Sequence, residues 1–215
     1  NPEAELRAFP QGIDRGNLSD FLADVDVYID GLDFFAFEAR EATFAACAEL
    51  GVPAITVAPL GMGAAALVFL PGKMTFEEYF QVRGKSEEEK AFRFLLGLSP
   101  AMLQRRYLVD PSAVDFSRRR GPSTAMACQL CAGIAATEAL NTLAAALRDA
   151  DLCGPWRNEQ LAVCNPAGEV VARVERGAVR VLGVTTRAVH LVGLVPDGRM
   201  WVQKRALPKP NNPGL

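Results

Sequence analysis

Two carboxylates, Asp30 and Asp33, follow the first clear strand pattern in the chain, in the run Asp-Gly-Leu-Asp. Residues 26–30 are rich in β-forming side chains and are followed by Gly31, which predicts a buried strand. In open α/β sheets, ligands bind beyond the carboxyl ends of parallel strands. Mg²⁺ is held there by one or two carboxylates together with phosphates. The pattern makes Asp30 and Asp33 candidate metal ligands, while spacing alone favours the alternative that Asp33 only caps the next helix.

Cys128 and Cys131 are separated by two residues, which is a spacing that zinc ligands also use. Structural zinc needs four ligands, and the sequence offers no second pair at such a spacing. Both residues lie in an apolar stretch, so we expect small hydrophobic residues free of metal. The chain has five cysteines, an odd number that favours reduced thiols and a cytoplasmic protein.

Composition sets the class of protein. The chain has 215 residues, of which 50% are hydrophobic, so it can bury a core, and its net charge of −2 predicts no nucleic-acid surface. Apolar runs such as residues 64–70 are shorter than the roughly 20 residues of a membrane span, so no membrane contact is expected. No targeting signal is visible. Residues 208–215 have the composition of a loop, and we expect the sequence to be a piece of a longer protein, truncated at both ends.

Strand and helix patterns alternate in the first part of the chain. Apolar residues at helical spacing predict a helix over residues 36–50, which ends at Gly51, and a second buried strand covers residues 53–59. This βαβ order predicts a parallel sheet. The remaining predictions here are a strand over 4–9, a short helix over 20–24, a strand over 65–70, helices over 75–83 and 86–96, a surface loop over 100–122, and a buried Ala-rich helix over 123–150.

The pattern changes after residues 153–155, Cys-Gly-Pro. Short strands are predicted over residues 161–165 and 170–175, and a hairpin around Pro-Asp-Gly at 196–198. We therefore expect a domain boundary near residue 150, with one domain over 1–150 and the beginning of another over 151–215. His190, the only histidine, is expected to be a structural strand residue.

The first domain resembles a known family. The run of residues 24–40 is similar to the strand-Asp-helix segment of the ThiF/MoeB superfamily, whose fold is shared with ubiquitin-activating enzymes. The similarity continues through residues 51–56 and 59–63, and it returns at 131–133 and 138–140. The resemblance implies a Rossmann-like, partly parallel α/β sheet with flanking helices. The family's Gly-rich ATP loop lies on an earlier strand and is not in this sequence.

The resemblance also implies a function. Members adenylate a carboxylate, often at the C-terminus of a ubiquitin-like protein, with ATP and Mg²⁺, and they are commonly dimeric. The family's Mg²⁺-associated Asp corresponds to Asp33, and the Arg that follows it corresponds, displaced, to Arg40, which would bind the nucleotide. Residues 110–124 contain no cysteine, so adenylation without a thioester relay is expected.

Residues 152–215 resemble the N-terminal part of a Nudix domain, a small α+β fold. In such proteins, cations that correspond to Arg205 and Lys209 contact a substrate diphosphate. An equally supported alternative is that both residues are solvated charges at a hairpin edge. The Nudix box itself is absent from the sequence. The expected function is ATP-dependent adenylylation fused to a Nudix module; the alternatives are Nudix hydrolysis with a ThiF-like scaffold, or an interaction domain without catalysis.

Overall fold

The computed structural model describes residues 5–107 and 110–186. The chain divides into two compact units, residues 1–185 and 186–215. All the elements given below belong to the first unit. The predicted hairpin around residues 196–198, His190, and the residues Arg205 and Lys209 lie outside the described residues, as does the rest of the Nudix-like segment beyond residue 186.

Helices and strands alternate in the first part of the unit, as predicted, although some boundaries differ by two or three residues. No strand forms in the described residues 5–9, so the strand predicted over 4–9 is wrong. The elements in chain order are α1 (Leu18–Phe21), β1 (Tyr28–Asp30), α2 (Phe37–Leu50), β2 (Ala54–Leu60), β3 (Gly63–Phe69), α3 (Phe76–Phe80), α4 (Glu87–Leu98), α5 (Ala125–Asp149), β4 (Gln160–Cys164) and β5 (Val170–Glu175). Short 3₁₀ turns at Leu103–Tyr107 and Pro111–Ala113 lie in the predicted loop.

The sheet has the order β1-β2-β3. β1 pairs with β2 in parallel, which confirms the mixed α/β class with a parallel-containing sheet. β3 then returns antiparallel to β2, and Gly61 provides the turn between them with φ +61°, a value that suits glycine. The register sets Asp30 opposite Thr56 on neighbouring parallel strands. Both side chains therefore lie on the same face, near the carboxyl end of β1.

An aromatic cluster fills the core between the sheet and helices α2, α3 and α4. Phe44 of α2 lies with its ring centroid 4.6 Å from that of Phe76, and Phe80 lies 4.9 Å from Phe94. Such contacts add to the hydrophobic gain of burying large rings. α3 and α4 each begin with a capping box, Thr75 with Glu78 and Ser86 with Glu89, which fixes where each helix starts.

Helix α5 packs against β2, β3 and β5. Its buried residues are Ala127, Cys131 and Ala144, whereas Met126 and Leu130 are exposed. The predicted helix is confirmed, but the expectation that it is buried holds only for one face, on which the small residues contact the sheet closely, while Met126 and Leu130 lie outside that face. In the described part of the chain, α5 alone has the length and apolar composition to cross a membrane, and this is weak evidence because a packed core helix has both.

Strands β4 and β5 form an antiparallel hairpin. Val174 and Ala178, in and after β5, cluster with Ala144 of α5, so the hairpin packs on the helix that precedes it. The buried carboxylate of Glu175 accepts backbone N–H groups of Arg157, Glu159 and Gly177, which fixes the strand connection. The domain boundary at residue 150, with domains over 1–150 and 151–215, stays a prediction.

Candidate functional site

A cavity of about 840 Å³ lies beyond the carboxyl ends of β1 and β2. One wall is the turn from Asp30 to Phe35 and the end of β2; the other comes from the loop between α4 and α5 and from the first turns of α5. This is where open α/β sheets bind ligands. A cavity of this size is within the range of small-molecule sites, roughly 300–1,000 Å³.

Asp30 and Arg40 form a buried ion pair under this cavity. Arg40 Nε donates to Asp30 Oδ2 at 2.8 Å, and the two side chains are 2% and 1% exposed. The Thr56 hydroxyl donates to the same carboxylate oxygen at 2.8 Å, and the Leu32 backbone N–H donates to Oδ1 at 3.1 Å. Both carboxylate oxygens of Asp30 are thus engaged within the protein. The register of β1 and β2 explains why Thr56 reaches the pair.

Arg40 also holds the turn that follows β1. Its Nη1 donates to the carbonyl oxygen of Phe34 at 3.0 Å, and its Nη2 donates to those of Leu32 and Asp33, each at 3.0 Å. The guanidinium carbon lies 4.6 Å from the ring centroid of Phe94. Because a guanidinium has five N–H donors in a rigid plane, one side chain can satisfy three carbonyls and a carboxylate. Arg40 therefore fixes the backbone on which Asp33 stands.

Asp33 is exposed and lies in the cavity wall. Its Oδ1 accepts the backbone N–H of Phe35 at 2.9 Å, a turn-type bond before α2 begins at Phe37. The helix N-cap is Ala36, and no side chain caps the helix there. Asp33 is therefore not the N-cap of α2, as the alternative prediction had it. It stabilises only the turn that precedes the helix. Its second oxygen, Oδ2, makes no hydrogen bond with another described residue, so it is free to bind a ligand.

Mg²⁺ that is bound together with a nucleotide requires protein oxygen ligands that are open to the cavity. Mg²⁺ prefers oxygen ligands and is held by one or two carboxylates together with substrate phosphates. Asp33 offers such an oxygen at the cavity, whereas Asp30 would first have to give up its internal bonds. Among the described ranges, no group of three or more metal-ligating side chains is found. The donor set therefore fits a metal carried in with a nucleotide and not a cage made by the protein.

The loop opposite Asp33 is joined to the strand side by aromatic packing. Phe116 stacks on Phe34, with ring centroids 6.1 Å apart and planes 28° apart, and meets Phe35 edge-on at 5.9 Å. Arg105 and Arg119 from this loop line the cavity. The loop joins the sheet again where Thr124 N–H donates to the Gly61 carbonyl at 3.0 Å. The cavity is thus bounded by segments that are far apart in sequence.

A family model described as the ThiF family matches residues 1–163. The chain belongs to the ThiF family. The match covers the strand-end carboxylates, Arg40, the loop and all of α5. No curated protein matches the chain. ThiF membership confirms the predicted family and points to adenylyltransferase-type activation of a carboxylate, to ATP, and to a ubiquitin-like or sulfur-carrier partner.

The structure brings three of the predicted site residues together, and the other two lie outside the residues that it describes. Asp30, Asp33 and Arg40 all line the cavity. The metal role of Asp30 and the nucleotide role of Arg40 stay predictions, since both groups bond each other in the protein interior. Arg205 and Lys209 lie outside the described residues, and their diphosphate role, like the Nudix module itself, stays a prediction.

Sequence reasoning did not identify Thr56, Phe116 or the two loop arginines as residues of this cavity. Thr56 could have been found from the predicted parallel pairing of the two strands, because a polar residue in a buried strand needs a partner. The positions of Phe116, Arg105 and Arg119 depend on how the loop folds over the sheet. Local sequence patterns do not predict the path of such a loop. Cys128 and Cys131 also line the cavity, and all five cysteines are free.

Proposed function

We propose that this chain forms the carboxylate side of a nucleotide site in which ATP and Mg²⁺ activate a carboxylate by adenylylation. The observation that carries the proposal is the exposed Asp33 carboxylate in the wall of a cavity of about 840 Å³, at the strand ends of a ThiF-family sheet. The partner would present the carboxylate of a flexible C-terminus, as a ubiquitin-like or sulfur-carrier protein does. A homodimer and a cytoplasmic location stay predictions.

In the proposed reaction, a carboxylate oxygen of the partner attacks the α-phosphorus of ATP. The bond from that phosphorus to the bridging oxygen breaks, and pyrophosphate leaves with the electron pair. Bound Mg²⁺ would neutralise part of the charge that develops on the phosphate oxygens. The chain's own residues bind and orient: Asp33 would hold the cation with the oxygen that does not bond Phe35, and Arg40 keeps the turn fixed. Such preorganisation avoids rearrangement during the reaction.

The Asp30–Arg40 pair has a positioning role in this proposal. Its bonds fix the carbonyls of Leu32, Asp33 and Phe34, so the Asp33 side chain starts from an immobile backbone. A site held on fixed backbone loses less entropy when it binds a ligand. Neither Asp30 nor Arg40 needs to touch the substrate for this purpose.

The decisive variant is Asp33→Asn in the complete protein. Asparagine keeps the size of the side chain and can still accept the Phe35 N–H, but it removes the charge that holds Mg²⁺. We expect ATP–pyrophosphate exchange to fall at least about a hundredfold while the melting temperature stays within about 2 °C, since the variant changes only an exposed group. Asp149→Asn, an exposed carboxylate at the end of α5, is the matched control and should change neither.

Two results would count against the assignment. Normal exchange in Asp33→Asn would show that the carboxylate has no part in nucleotide activation. Loss of exchange together with a melting temperature lowered by many degrees would instead assign Asp33 to the structure of the turn.

A further inference from the structure

The loop between α4 and α5 contains a tight hairpin at the cavity. Asp115 and Arg120 exchange two backbone hydrogen bonds, of 3.0 and 2.8 Å, and Arg119 N–H donates to the Phe116 carbonyl at 3.1 Å. The Asp115 carboxylate accepts the Ser117 hydroxyl at 2.6 Å. These bonds define the shape of the hairpin tip.

The hairpin is anchored next to Asp33. Phe116, its second residue, packs on the rings of Phe34 and Phe35, which directly follow Asp33 in the chain. Pairs of aromatic rings in such contact contribute about 0.5–1.5 kcal/mol beyond the burial of their surface. The residues at the tip of the hairpin are thus held at the same cavity as the Asp33 carboxylate.

Arg119 has two features that mark it within the hairpin. It lines the cavity, and its backbone is in the left-handed region with φ 53°. A non-glycine residue in that region is strained, and strained residues cluster at ligand sites. Its neighbour Arg118 is not in the cavity wall and instead pairs with Asp115 across 3.5 Å. The strain therefore falls on the arginine that faces the cavity.

The cavity wall contains three aspartates and three arginines, so its charges balance, but two of the arginines are not paired within the described part of the chain. Asp30 and Arg40 neutralise each other, and the Asp110 carboxylate accepts the Ser112 hydroxyl and N–H. Arg105 and Arg119 make no side-chain hydrogen bond or ion pair with any residue in 5–107 or 110–186. Guanidinium groups lining a water-accessible cavity are suited to an oxyanion, because they can donate two parallel hydrogen bonds to phosphate oxygens.

We propose that Arg119, assisted by Arg105, binds the phosphate chain of the nucleotide, specifically the oxygens that leave as pyrophosphate. The inference rests on the proposed adenylylation and assigns to the loop the positive charge of the site, with Asp33 and its cation on the opposite wall. Two guanidinium groups suit a polyanion of several charges better than a single acceptor carboxylate. The acceptor carboxylate is the other source of oxyanion chemistry, and the experiment separates the two.

The test uses the complete protein with inorganic pyrophosphate as the probe. Arg119→Asn removes the cation, and asparagine tolerates the left-handed backbone, so the hairpin should keep its fold. Arg118→Asn is the matched control, one residue away and outside the cavity wall. Binding is measured by calorimetry. We expect Arg119→Asn to weaken pyrophosphate binding about tenfold or more, and Arg118→Asn to change it less than about twofold, as is typical of exposed charges.

A second probe separates the two anions. N-acetylglycylglycine carries one carboxylate in a chain like a flexible protein C-terminus. Loss of affinity for this peptide in Arg119→Asn, with pyrophosphate binding unchanged, would overturn the phosphate assignment. Equal effects of Arg118→Asn and Arg119→Asn on pyrophosphate would also overturn it, because only general surface charge would then be involved.

Failure of this inference can be distinguished from failure of the proposed function. If the wild-type protein binds pyrophosphate through Arg119 but catalyses no ATP–pyrophosphate exchange, the anion site stands and the adenylylation proposal fails. If exchange is normal in Arg119→Asn and pyrophosphate binding is unchanged, adenylylation stands and the role of Arg119 is refuted.

Discussion

Removal of the Arg40 guanidinium should be one of the most destabilising single changes in the described part of the chain. Arg40→Met keeps an unbranched side chain of similar length, so most packing against Phe94 remains. The change leaves the Asp30 carboxylate buried with only the Thr56 and Leu32 donors. Loss of one partner from a buried ion pair costs about 3–5 kcal/mol.

The three carbonyls that Arg40 holds also lose a donor, which adds to this cost. A loss of about 3–5 kcal/mol is a large part of a typical stability of 5–15 kcal/mol. For a domain of 150–250 residues, about 1 kcal/mol lowers the melting temperature by about 2–4 °C, so we expect a decrease of about 6–20 °C. Circular dichroism during heating, with urea unfolding at 25 °C, measures both quantities.

Arg176→Met is the matched control. Arg176 donates to both carboxylate oxygens of Glu159, but at the surface, where both side chains are about half exposed. Such a pair contributes about 0–1 kcal/mol. Similar losses for Arg40→Met and Arg176→Met would refute the reasoning. A double variant, Asp30→Asn with Arg40→Met, should lose less than the sum of the single losses, because the uncompensated charge is removed.

Two further predictions concern packing and the thiols. Gly97→Ala should destabilise α4 by about 1–3 kcal/mol in urea unfolding, since the added Cβ would lie 2.3 Å from a Phe80 ring carbon. The control Gly133→Ala in α5 finds its nearest atom at 3.9 Å and should gain up to about 1 kcal/mol from helix propensity; equal effects would contradict this. Iodoacetamide at pH 8 should modify exposed Cys128 well before Cys47, because burial raises the pKa of the Cys47 thiol to about 11; mass spectrometry of peptides would show the reverse order if the reasoning fails.

Local patterns were sufficient for most of the helices and strands. The alternation of strand, helix and strand predicted β1, α2 and β2 because the spacing of apolar residues and the helix end at Gly51 depend only on residues that are close in sequence. Strands β4 and β5 were predicted in the same way, and the structure shows that they pair. The predicted strand over 4–9 failed because a short run of mixed residues needs a neighbouring strand, and no local feature of the sequence supplies one.

The candidate site was predictable only on one side. Asp30 and Asp33 stand at a strand end, so their position follows from the order of elements. Asp30 and Arg40 are ten positions apart, and the bond between them depends on the packing of α2 under the turn. The spacing of residues in the sequence does not predict this packing. The loop wall depends on still longer separations. For that reason the sequence did not identify Arg105 and Arg119 as residues of the cavity.

The two walls of the cavity are held by different forces, and this determines how each can serve a ligand. On the strand wall, a buried guanidinium satisfies a carboxylate and three carbonyls, and these directional bonds leave the turn at Asp33 a single geometry. On the loop wall, Phe116 packs through ring contacts, which are far less directional than hydrogen bonds. In the proposed function, a fixed Asp33 carboxylate and a less directionally held guanidinium would suit a substrate that is bound as a polyanion and released as two pieces, because the loop cation would follow the departing phosphates while the turn at Asp33 stays in place.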